Sequence, residues 1–141
     1  MNTLITYAMS FIGRPYKYGG DDPMSGFDCS GFVQELLASV GLDPKGDQTA
    51  QGLYDALAIS STHGVYGPGV IAFYGESVRK ITHVAFCVDS YRMIEAGGGG
   101  SATLTAEDAA KQNAYIRMRL IKSRKDMVAT LKPVYYTIGV I

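Results

Sequence analysis

Tryptophan is absent from this 141-residue chain, and cysteine and histidine occur only twice each. Two cysteines can form at most one disulfide, so stability has to come from a packed core, and free thiols imply synthesis in a reducing compartment. Excess charge of either sign is also missing. Thirteen Lys and Arg balance thirteen Asp and Glu, and no basic run or stripe appears, which argues against nucleic acid as a partner. No apolar run reaches the roughly 18 residues that a bilayer-spanning helix requires, which argues against a membrane partner. The N-terminal stretch MNTLITYAMSFIGRPYKYGG has no basic leader and reads as an amphipathic helix, not a signal peptide. What the chain does have is 47% hydrophobic content, enough for one real core. With no internal repeat and no linker, the expectation is one domain over residues 1–141.

Periodicity predicts helices first and strands afterwards. A first helix is expected over residues 2–12, with Leu4, Ile5, Ala8, Met9 and Ile12 on its apolar face and Gly13 and Pro15 ending it. Residues 16–27 are turn-rich. A second helix follows Asp28 and closes at Gly41, and a third, shorter one is expected over 47–58. Residues 60–69 read as a loop. From residue 69 the pattern alternates at strand spacing: GVIAFYG, THVAFCV, RMIEA, AYIRMRLI and a last strand near KPVYYTIGVI. This order predicts an α+β protein, with N-terminal helices packed on an antiparallel sheet of about five strands.

The segment FDCSGFVQELLASVG carries the strongest chemical signal. Asp28 is placed to cap the helix, while Phe32, Val33, Leu36, Leu37 and Val40 recur on one face. Cys29 then sits in the first turn, where unpaired backbone amides and the positive end of the helix dipole favour a thiolate. A thiolate attacks carbonyl carbon, so Cys29 reads as a nucleophile; the competing reading is a buried core cysteine.

A cysteine nucleophile needs a base. His63 lies in the loop STHGVYGPG, where exposure is the default, whereas His83 opens the strand THVAFCV and is the base candidate. Hairpin counting supplies a third member. A three-residue turn, Asp89-Ser90-Tyr91, pairs Val88 with Arg92 and Ala85 with Glu95, which puts Glu95 on the face of His83, one register step away. A two-residue turn would send Glu95 to the opposite face, and a solvent-exposed strand glutamate is the plain alternative. Cys87 shares the strand face of His83 by alternation and reads as packed core. A metal set of Cys29, His83 and Cys87 has no familiar zinc spacing, so neither a metal nor another cofactor is expected. The run Gly97–Gly100 lacks the Lys-Ser/Thr ending of a phosphate loop and reads as a flexible loop beside the cleft.

Two blocks, Pro15-Tyr16-Lys17-Tyr18-Gly19-Gly20 and Gly26-Phe27-Asp28-Cys29-Ser30-Gly31-Phe32-Val33, resemble the signature of the NlpC family of papain-like cell-wall cysteine peptidases. Gly69–Tyr74 and Thr82-His83-Val84-Ala85 resemble that family's later strands, so the likeness extends over about residues 4–122. The resemblance implies a papain-like NlpC-type fold and hydrolysis of peptidoglycan stem peptides, often at a γ-D-glutamyl bond to a diamino acid. It assigns Cys29 as nucleophile, His83 as base and the Tyr16 hydroxyl as an oxyanion donor beside the Cys29 amide. Asp28 and Ser30 match positions that hold the amino end of substrate in some relatives, and Tyr18 lies in the same block as a further substrate-binding candidate. Two departures stand out. Glu95 replaces the family's usual His, Asn or Gln, which strengthens a thiolate–imidazolium pair, and Gly69-Val70 replaces Gly-Asp. The expected protein is a monomeric peptidoglycan endopeptidase made in the cytoplasm and acting on the wall, as a bacteriophage lysin does. An acyltransferase or a phage tail component retaining the same site is the alternative.

Overall fold

The computed structural model describes residues 3–22 and 26–135. Helix α1 (Thr3–Met9) buries Leu4, Ile5 and Ala8. It stops one turn earlier than its apolar spacing predicts, so Ile12 is exposed and Phe11 enters the core instead. Two short strands, β1 (Asp21–Asp22) and β2 (Gly26–Phe27), pair antiparallel just before helix α2 (Cys29–Ser39). Asp28 caps α2 as its sequence position predicts: Oδ1 accepts from Gly31 N at 2.7 Å. At the other end Gly41 takes a φ of +75° while Leu42 N donates to Leu37 O, a left-handed C-terminal cap. Helix α3 (Ala50–Leu57) starts from Thr49, whose side chain accepts from Gly52 N.

The strands are β3 (Thr62–His63), β4 (Ile71–Ser77), β5 (Lys80–Cys87), β6 (Arg92–Gly97), β7 (Tyr115–Leu120) and β8 (Met127–Lys132). They form one six-stranded sheet in the order β3-β8-β4-β5-β6-β7, antiparallel throughout. The fold is therefore α+β as expected. Strand β8 is unexpected, and of the strand expected near residues 132–141 only Lys132 is in a strand among the described residues, since Pro133, which has no N–H to donate, follows it. Residues 136–141 of that expectation lie outside the described residues, as does Pro23 of the turn-rich segment.

An unexpected helix, α4 (Ala106–Gln112), separates β6 from β7. It buries a single residue, Ala109, so it shows no apolar period; a capping box between Thr105 and Asp108 marks its start instead. The main core lies between the helices and one face of the sheet, joining Leu4, Phe27, Phe32, Leu36 and Leu53 to Phe73, Val84, Phe86 and Ile94. The other face carries a smaller cluster of Val70, Ala72, Tyr74, Ala85, Cys87, Met93 and Ile121. Among the described residues, no helix is long and apolar enough to cross a membrane.

Candidate active site

Cys29 is the first residue of α2, and a close approach of backbone fixes where that helix begins. A Cβ on Gly31 would collide with the carbonyl oxygen of Gly20, and Asp28 N donates to the same oxygen at 3.0 Å. The glycine two residues after the cysteine thus lets the turn-rich segment lie directly on the helix start. Cys29 is a free thiol, half-buried, and faces a cavity of about 160 Å³. Tyr16, Thr82, His83, Glu95, Gly97–Gly99, Arg119 and Arg124 line the same cavity.

The hairpin expected from sequence is present. Phe86 pairs with Ile94 and Cys87 with Met93, and Val88 N donates to Arg92 O, which makes Asp89-Ser90-Tyr91 the turn. Glu95 consequently shares a face with His83, and Nε2 of His83 stands 2.7 Å from Glu95 Oε1. An ionised carboxylate only accepts, so Nε2 carries the proton in this bond and Nδ1 is left for the thiol. His83 is 7% exposed and Glu95 1% exposed. Burial alone would pull the imidazolium down. The hydrogen bonds and charges of Cys29 and Glu95 outweigh it and push His83 up to about 9.

Glu95 has further partners that the sequence reading missed. Arg119 Nη1 donates to Glu95 Oε2 at 3.1 Å, and Arg117 Nε lies 3.8 Å from the same oxygen. Burial works against the charged carboxylate, but His83 and then Arg119 overcome it and hold Glu95 below its ordinary range. The signal was present in the alternation of YIRMRL: Arg117 lies directly opposite Glu95 in the β6–β7 ladder, and Arg119 is its neighbour on the same face. Arg124 lines the cavity while forked onto Asp126 at 3.0 and 3.1 Å.

Tyr16 is pinned by its backbone, with its N–H on Ala114 O and a bridge to Phe27, and it lines the cavity with Cys29 and His83. Burial, then the charges of Cys29 and Asp28, push its phenol up, so it stays a hydrogen-bond donor. The glycine run is packed against the site and does not behave as a free linker. A Cβ at Gly99 would lie 2.7 Å from Tyr16 Cγ, and one at Gly97 would lie 2.8 Å from Glu95 Oε2.

The remaining sequence candidates separate. Asp28 Oδ1 is occupied by Gly31 N and by the Ser30 hydroxyl at 3.2 Å, so both residues serve the helix cap; neither lines the cavity. Tyr18 is exposed and outside the cavity, with its N–H on Thr103 O. His63 is exposed on the edge strand β3, its Nε2 2.7 Å from Ala58 O. Cys87 is fully buried in the second cluster, where burial pushes its thiol up to about 12. Among the described residues, no three His, Cys, Asp or Glu side chains are grouped to hold a metal ion.

Residues 13–124 match the sequence profile of the NlpC/P60 family. The chain is 35% identical over 101 residues to the bifunctional muramidase/DL-endopeptidase CwlT of Bacillus subtilis, covering 70% of this chain and 30% of that protein. It is 26% identical over 111 residues to the gamma-DL-glutamyl hydrolase of the same organism, covering 72% of this chain and 24% of the relative. The chain therefore spans less than a third of the length of either. Among solved structures, RipD of Mycobacterium tuberculosis superimposes with a TM-score of 0.65 at 19% identity, covering 93% and 94% of the two chains. RipD is described as a non-catalytic NlpC/p60 domain protein adapted to peptidoglycan binding, so that likeness speaks to the fold alone.

Proposed function

The chain belongs to the NlpC/P60 family, and from that premise we propose that it is a cysteine peptidase cleaving stem-peptide amide bonds of peptidoglycan. The observation that carries the reading is the Cys29–His83–Glu95 array in one cavity, since the fold itself is shared with a non-catalytic protein. The bond we assign is that between D-glutamate and the following diamino acid, supported by the DL-endopeptidase and gamma-DL-glutamyl hydrolase names of the two Bacillus relatives.

The geometry supports the following course. The Cys29 thiolate attacks the D-glutamyl γ-carbonyl carbon, and a C–S bond forms as the carbonyl oxygen takes up negative charge. Tyr16 Oη and the Cys29 amide are the donors available to that oxyanion. His83 passes its proton to the leaving amine as the C–N bond breaks, which leaves a thioester and a neutral imidazole. Water then attacks the thioester, giving its proton to His83, and the thiolate departs. Glu95 holds the ring with Nε2 toward the carboxylate and stabilises each imidazolium stage.

The test is mass spectrometry of muropeptides released from purified sacculi by wild-type protein and by Cys29→Ala. New amino termini on the diamino acid, absent from the variant digest, are the expected result. Intact muropeptides after prolonged digestion, with the variant still binding sacculi, would favour a binding role like that named for RipD. Transfer of the acyl group to an added amine in place of water would make the protein an acyltransferase.

A further inference from the structure

Behind Cys29 and His83 stand the Glu95 carboxylate and then the Arg119 guanidinium, which donates to Glu95 Oε2 at 3.1 Å. The last member has no role in the course above. We propose that Arg119 is a positioning residue that keeps the buried Glu95 carboxylate ionised and fixed while His83 passes through its neutral form, and thereby sets the rate of acyl-enzyme hydrolysis. This rests on the thiolate–imidazole chemistry of the proposed function but not on the identity of the bond cleaved.

The charges around Glu95 change in the course of one turnover. In the resting enzyme Glu95 faces an imidazolium, and that charge helps keep it ionised although it is almost fully buried. Once His83 has given its proton to the leaving group and Cys29 is a neutral thioester, both neighbouring charges are gone. An isolated buried carboxylate is then costly, and the His83–Glu95 pair would recapture a proton. A pair holding that proton cannot accept another from the attacking water. Arg119, bonded to the oxygen that His83 leaves free, retains its charge at this stage.

The other charged groups around the pair are placed less directly. Arg117 Nε forms an ion pair with the same Oε2 at 3.8 Å, which adds positive charge but, beyond hydrogen-bond distance, does not fix the carboxylate. Arg124 is forked onto Asp126, whose negative charge offsets it. From β4, Tyr74 packs its ring 5.7 Å from His83, and burial keeps that phenol protonated. From the segment before β1, the phenol of Tyr16 is likewise held protonated.

The experiment uses p-nitrophenyl acetate, which acylates a thiolate whatever the natural substrate. Release of nitrophenolate reports acylation, and loss of the 42-Da acetyl adduct on the intact protein (about the mass of a ketene unit, C₂H₂O) reports hydrolysis of the thioester. Wild type, Arg119→Met, Arg119→Gln and Arg119→Lys are compared across pH. In the Met and Gln variants the pair binds its proton more tightly. Hydrolysis should slow about tenfold at neutral pH, its acid limb should rise by about one pH unit, and the acetyl-enzyme should accumulate. Acylation should persist, and Arg119→Lys should recover most of the hydrolysis rate. A hydrolysis profile in Met and Gln that superimposes on wild type overturns the proposal. So does equal slowing of both steps, or loss of folding in both variants, since either would make Arg119 purely structural. Absence of a Cys29-dependent burst in wild type would instead remove the acyl-enzyme reading itself.

Discussion

His83 and Glu95 are twelve residues apart in sequence and 2.7 Å apart in space, and the three-residue turn at Asp89–Tyr91 is what joins them. Glu95→Gln keeps the shape and one acceptor but removes the charge that favours the imidazolium. The alkaline limb of cleavage, where the imidazolium loses its proton, should therefore move to lower pH. A solvent-exposed carboxylate would be replaceable at no cost to folding, but Glu95 lines the cavity while buried against two guanidiniums. Both arginines are about one-third exposed, so water screens part of the loss, and a destabilisation of about 1–2 kcal/mol is expected. Rate against pH and thermal melts check the two parts. Superimposable profiles would reduce the site to a dyad.

The raised imidazolium of His83 also makes stability depend on pH. A group raised from 6.5 to about 9 on folding adds stability that is fully present below about 6.5 and is lost as pH climbs through about 9. Melting temperature should fall over that window in wild type, and the fall should be smaller in His83→Ala. Parallel curves for the two proteins would contradict the assignment of the charge to His83.

The two cysteines should differ in reactivity. Cys29 opens onto the cavity, whereas Cys87 is fully buried and burial raises its thiol to about 12. Iodoacetamide at neutral pH should label Cys29 and leave Cys87 unmodified until the protein unfolds. Cys29→Ala should abolish cleavage with little change in melting temperature, because the Asp28 cap remains. Equal labelling of both thiols, or an active alanine variant, would remove Cys29 from its role.

Local rules made most of the site legible. The cap at Asp28 and the hairpin count that faces Glu95 toward His83 both follow from short-range geometry, and the structure places them as expected. What was missed depends on longer range. Helix α4 hides because it buries only Ala109 and so lacks periodicity. Arg117 and Arg119 read as ordinary strand polar residues until β7 is known to pair with β6, which sets a buried carboxylate opposite them. The glycine run read as a flexible loop because composition cannot show that a ring lies against its backbone. Ile12 was misplaced for the opposite reason: its spacing continued a helix that had already ended.

That ring contact gives the last prediction. Tyr16→Phe removes one donor from the developing oxyanion and keeps the packing against Gly99. Turnover should fall by roughly 10²–10³ with the melting temperature nearly unchanged. Gly99→Ala makes the complementary change, since its Cβ would stand 2.7 Å from Tyr16 Cγ and the ring would have to shift. Cleavage should slow in this variant although every catalytic side chain is retained. Combining the two substitutions separates the causes: if the alanine acts by displacing the hydroxyl, it should slow Tyr16→Phe much less than it slows wild type. Fully additive losses would mean that Gly99 acts on the cleft by another route and that the Tyr16 hydroxyl is not held by the glycine wall.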